Sequence, residues 1–81
     1  MDEDLALMIV MVAERSRGEI ASLIPIMKEH CSKDQYEEIV HSMATVIYDI
    51  GEEIMEKVYA LNPSVRVTYK RNWDKFGRAY Y

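Results

Sequence analysis

DQYEEIVHSMATVIYDIGEEIMEKVYAL, residues 34–61, is the stretch whose rhythm decides the fold. It contains no proline, and Tyr36, Val40, Met43, Ile47, Ile50 and Ile54 recur at steps of four, three, four, three and four. That is the seam of a long amphipathic helix, about 40 Å long at 1.5 Å per residue. Ser32 or Asp34 can cap its start, with Gln35 or Glu37 three residues later completing a capping box, and Asn62-Pro63 ends it. Beyond Ile54 the alternation puts Lys57 where a core residue belongs; Val58 and Leu61 are expected to take over as the seam drifts. Gly51 either lets a neighbouring backbone come close or costs about 1 kcal/mol of helix propensity, and both readings stay open.

The chain before this helix is also helical in pattern. Acids at positions 2–4 suit a helix N-terminus, and Leu5, Ile9, Val12, Ile20, Leu23, Met27 and Cys31 keep one face, interrupted by Ser16. Gly18 and Pro25 are breakers, so a kink or short break is predicted between Arg17 and Pro25; a second helix starting near Ser22 would accommodate the proline in its first turn. Residues 3–30 and 34–61 are equal in length and joined by a short connection, which reads as an antiparallel αα-hairpin.

Eighty-one residues make one domain at most, and a chain this short buries only ~60% of its unfolded surface. Self-association is therefore expected. The run Leu5 to Ala13 is apolar nearly all round, more than one partner helix covers. A second copy packed on it would give a two-fold four-helix bundle, with Leu5, Met8, Ile9, Val12, Val40, Met43, Ile47, Ile50 and Ile54 as the dimer interface. The competing cover is the chain's own C-terminal segment.

Charge divides the chain. Residues 1–62 hold thirteen acids against five bases (−8), and residues 63–81 hold Arg66, Lys70, Arg71, Lys75 and Arg78 against Asp74 alone (+4). Val65, Val67 and Tyr69 alternate with Arg66, Thr68 and Lys70, the pattern of a short strand or extended arm, and Asn72 can cap a last turn carrying Trp73, Phe76 and Tyr80. The expected organisation is an acidic helical hairpin over 1–62 with a short, extended, basic and aromatic arm over 63–81 that is not an independent domain. Such an arm either folds back on its own acidic body or meets an outside anion; on the second reading truncation at Asn62 would leave a stable dimer.

Composition limits the function classes. One cysteine, Cys31, forms no intramolecular disulfide, and the acidic start with a nine-residue apolar run matches neither a signal peptide nor a membrane span. A cytoplasmic setting is expected. Glu38 and His41 form a Glu-x-x-His pair, which in four-helix bundles builds di-iron sites, but they lie beside the apolar seam with Asp34, Thr45, Asp49 and Glu52 on what reads as the wet face. His30-Cys31 are neighbours that face apart, so Cys31 reads as a small core residue rather than a nucleophile. No Gly-rich phosphate loop, Cys-x-x-Cys, His-Glu-x-x-His or nucleophile elbow is present, so neither a cofactor nor catalysis is expected. Met8, Met11, Met27, Met43 and Met55 are read as core, or as an adaptable groove for a partner helix.

The expectation is thus an all-α chain: a long antiparallel helical hairpin, its first helix kinked near Gly18–Pro25, dimerising into a four-helix bundle. Its expected function is that of a non-enzymatic adaptor, regulator or inhibitor, docking on another protein through the acidic helical face or through Arg66, Tyr69, Lys70, Arg71, Trp73, Lys75, Phe76 and Arg78. A nucleic-acid-associated regulator using the same arm is the first alternative, and a di-metal protein using Glu38 and His41 the second.

Overall fold

Asp2 starts the first helix: its Oδ1 accepts the Leu5 amide at 2.9 Å, and Glu3 and Asp4 fill the first turn, where acids suit the helix dipole. In this computed structural model, which describes residues 1–77, helix α1 runs Glu3–Ala21. It stops at Ser22, whose hydroxyl donates back to the Glu19 carbonyl at 2.6 Å. After Leu23, α2 (Ile24–His30) carries Pro25 in its first turn, where an amide has no helical partner to lose. The bend therefore falls at Ser22-Leu23, while Gly18 is ordinary helix.

Ser32 opens the second long helix with a reciprocal box. The Gln35 amide donates to Ser32 Oγ at 3.2 Å, and the Ser32 amide donates to Gln35 Oε1 at 3.1 Å. Helix α3 (Lys33–Asp49), a π-helical segment (Ile50–Met55) and α4 (Glu56–Leu61) follow without a break. α2 lies against α3, and α1 against the π segment and α4, which is the antiparallel order of a hairpin. The described residues are helical almost throughout and contain no strand.

The extended arm is corrected by the structure: residues Pro63–Phe76 form a helix, α5. Pro63 has no amide to lose and its fixed φ suits a first turn, so Asn62-Pro63 ends one helix and starts the next. Val65, Tyr69, Trp73 and Phe76 stand four, four and three apart, a helical seam running through the same residues that alternate with period two. Burial decides between the periods. Val65 is 0% exposed and Val67 is 67% exposed, whereas a strand would put both on one face. Gly77, with φ 73°, closes α5 in the left-handed region, its amide donating to the Trp73 carbonyl at 2.8 Å.

The core consists of Ala6, Val10 and Ala13 from α1, Met55 from the π segment, Val58 and Tyr59 from α4, and Val65 from α5, with Leu7, Ile9, Ile50 and Tyr69 packed around it. Two expectations change here. α1 does not bury Leu5 and Val12, which are about half exposed. It buries Ala6, Val10 and Ala13 instead, because a helix apolar all round can choose its face, and small side chains let α4 and α5 approach closely. Nor is the C-terminal segment detachable: Val65 is part of the core, so cutting at Asn62 would uncover Ala6 and Val10.

The second long helix keeps its predicted seam, with Tyr36, Val40, Met43, Ile47 and Ile50 half-buried, until the π segment re-phases it. There the Glu56 amide donates to the Gly51 carbonyl five residues back, and the turn takes in one extra residue. Ile54 consequently leaves the seam and is 41% exposed, while Met55, Val58 and Tyr59 become buried. Lys57 swings into solvent and pairs with Glu53 at 2.6 Å, and Leu61 is exposed rather than in the seam. The molecule is long and thin, 45 × 25 × 15 Å, with a radius of gyration of 15.1 Å against about 12 Å for a compact chain of this length.

Two stability outcomes follow from this packing. Val65→Ala should cost about 2 kcal/mol in denaturant unfolding, and Val67→Ala close to nothing; equal losses would mean that the two share a face. At Gly51 an added Cβ would meet Arg17 Nη1 at 3.6 Å, ordinary contact, so no backbone approach requires the glycine. Gly51→Ala should therefore raise stability by about 0.5–1 kcal/mol, read as a higher melting temperature, and a drop would mean that the π turn depends on glycine.

Candidate functional site

α5 sorts its residues by helical period. Val65 and Tyr69 turn inward, and Tyr69 stacks on Trp73 with ring centroids 6.1 Å apart and planes 15° from parallel. Arg66, Val67, Lys70, Arg71, Asp74 and Lys75 line the outer side and enclose a shallow depression of about 640 Å³. Trp73, 48% exposed, stands beside it, whereas Phe76, 45% exposed, continues the inner seam of Val65 and Tyr69 by helical spacing. Of the sequence-predicted docking residues, α5 thus gathers Arg66, Lys70, Arg71 and Lys75 on one exposed face, places Trp73 at its edge, sets Phe76 on the opposite side and packs Tyr69 against the core. Arg78 lies outside the described residues, as does Tyr80.

Arg66 is tied to the body. Its guanidinium lies 4.3 Å from the Tyr59 ring centroid and donates to the Glu56 carboxylate, so the basic segment does fold back on the acidic hairpin through one of its cations. The Lys75 ammonium sits 5.2 Å from the Phe76 ring. Lys70 and Arg71 have no carboxylate partner among the described residues.

Beneath α5 lies a small polar cluster. Arg17 Nη1 donates to Glu14 Oε2 at 3.0 Å and approaches Met55 Sδ at 3.5 Å, which holds the guanidinium over Gly51. Burial, reinforced by the Glu14 carboxylate, pushes the Tyr69 phenol up to about 12. Burial also raises Tyr59, and the Lys57 ammonium lowers Glu53.

The other candidates lie apart. Glu38 and His41 are both exposed on α3, and their carbonyls accept the Ser42 and Thr45 hydroxyls. The described residues contain no group of three His, Cys, Asp or Glu side chains able to hold a metal ion. His30 is exposed and Cys31 half-buried. No helix among the described residues is long and apolar enough to cross a membrane.

The residues grouped as a dimer interface separate into two sets. Val40, Met43 and Ile47 are half-buried along the hairpin seam. Met8, Ile9, Val12, Ile50 and Ile54, with Ala13 and Ser16, line an open apolar groove of about 390 Å³ between α1 and the π segment, and Leu5 extends its rim by helical spacing. Sequence reasoning could have found the α5 face from its four-residue spacing and the proline at its start. It had no signal for where the π turn would send Ile54.

The phenol at Tyr69 carries a pH consequence. The folded state favours the neutral form, while the unfolded chain ionises near the ordinary value of 10.0, so stability is whole below about pH 10 and is lost as pH rises towards about 12. Tyr69→Phe should move the alkaline unfolding midpoint upward in circular dichroism, and an unmoved midpoint would show that Tyr69 does not govern it. Compared with known proteins, the chain matches no family model, no curated protein and no solved structure.

Proposed function

We propose that this chain is a non-enzymatic interaction module that docks on an acidic protein surface through the outer face of α5. The observation that carries the reading is the concentration of Arg66, Lys70, Arg71 and Lys75 around the exposed Val67, on a molecule whose remainder is acidic. Cations around an apolar centre, with Trp73 beside them, supply both steering and desolvated contact, the usual composition of an interface anchor. A helix fixed to the core by Val65 and Tyr69 also loses little entropy on binding. The shifted titrations give no separate support for catalysis, since burial accounts for Tyr59 and Tyr69 and the salt link to Lys57 accounts for Glu53. The single Cys31 is in keeping with a reducing, cytoplasmic setting.

A second reading is favoured by one feature, the exposed part of Trp73 beside Lys70: single-stranded nucleic acid would stack there and set its phosphates on the same cations. Trp73, the chain's only tryptophan, reports on both. An acidic polyglutamate peptide should perturb its fluorescence, and Lys70→Glu/Arg71→Glu should weaken that binding by roughly tenfold or more without loss of helicity. Binding of an oligothymidylate in preference to the peptide, with log affinity falling against log salt at a slope near −3 for about four phosphate contacts, would replace the protein reading by the nucleic-acid one. Binding of neither probe would remove α5 as the docking face.

A further inference from the structure

We infer that a second copy of this chain packs on the apolar face formed by Leu5, Met8, Ile9 and Val12 of α1 with Ile50 and Ile54, making a two-fold dimer. The inference stands independently of α5, none of whose residues lines the groove.

Three observations point to a copy as the occupant. The first is area. A compact 9.5 kDa monomer exposes about 5000 Å². This chain exposes 5934 Å², about 900 Å² more over its whole elongated surface, so burying the ~800 Å² that one partner contributes to an interface of standard size would bring it to the compact value. The second is shape. A two-fold interface must be self-complementary, and here a ridge and a groove stand side by side. Leu5, Met8 and Val12, at steps of three and four, form the ridge, and they are 47%, 56% and 49% exposed. The groove beside them, between α1 and the π segment, is floored by Ala13 and Ser16. A two-fold axis across this face seats each ridge in the other chain's groove. The third is chemistry: no charged residue lines the groove, although 30% of the chain is charged.

A need for cover accompanies the fit. Among the described residues the largest fully buried side chains are Val10 and Val65, and cores this small are commonly completed by association. Each chain carries a net charge of −4, so copies repel at long range and added salt should tighten the dimer. Salt should weaken docking on α5, and the two readings can therefore fail separately.

The test is sedimentation velocity and native mass spectrometry of the full chain over a concentration series. A species of twice the 9.5 kDa chain mass is expected, with a melting temperature that rises with concentration. Met8→Glu/Val12→Glu should raise the dimer dissociation constant roughly a hundredfold or more while keeping the helical circular dichroism, since neither residue belongs to the intrachain core. Should that variant lose helicity, Ser16→Arg repeats the test by blocking the groove floor. Val67→Glu and Lys70→Glu/Arg71→Glu should leave the dimer mass unchanged. A chain monomeric at every concentration overturns the inference, as does a monomer carrying a bound lipid or foreign peptide. A dimer that survives both groove variants, or one broken by the α5 substitutions, overturns it too.

Discussion

The arrangement rests on a phase constraint in the second long helix. A helix turning 100° per residue holds Ile47, Ile50, Ile54 and Val58 within one face but turns Met55 and Tyr59 about 100° or more away from it, so the apolar pattern slips after Ile50. The π turn over Ile50–Met55 absorbs the slip by taking in one residue. Four consequences share that cause: Lys57 reaches solvent, Met55 moves beneath Arg17, Tyr59 turns to receive Arg66 and α5, and Ile54 rotates out beside Ile50 into the apolar groove. One turn thus completes the core at one end of the hairpin and leaves an apolar surface beside it.

What was legible in the sequence follows the strength of each local signal. The seam from Tyr36 to Ile50, the capping box and the bend before Pro25 were legible because period, cap chemistry and proline each point one way. The slip at Lys57 was visible, but its remedy was not: a drifting seam and an inserted residue give the same pattern until burial tells Ile54 from Met55. Residues 63–76 failed for another reason. Val65, Val67, Thr68 and Tyr69 carry strand propensity and alternate with polar residues, yet Val65, Tyr69, Trp73 and Phe76 also keep helical spacing. Contact with Ala6, Val10 and Tyr59 satisfies the second pattern and leaves Val67 outside, so tertiary packing overrode local propensity.

α1 shows how an apolar helix selects its inner face. Leu5, Ile9 and Val12 offer more area, but Ala6, Val10 and Ala13 offer closeness, and α1 must meet both α4 and α5. Small residues at the point of closest approach bring more of the surrounding chain into contact than one large side chain would. The consequence is that α1's bulkier residues, Leu5, Met8 and Val12, stay outside. Their exposure belongs to the same packing choice that gives the hairpin its third helix.

The two surfaces differ in kind and in place. The outer side of α5 is cationic and lined from that helix alone; the groove is uncharged and lined from α1 and the π segment. Because they share no residue, the proposed copy in the groove would leave α5 open on both chains, and such a dimer would present two basic faces. A partner with two acidic patches would gain by effective concentration, its second contact becoming intramolecular, whereas a partner with one patch would gain nothing. On that proposal, joining two such faces would raise affinity for a two-patch partner through effective concentration, without any new contact.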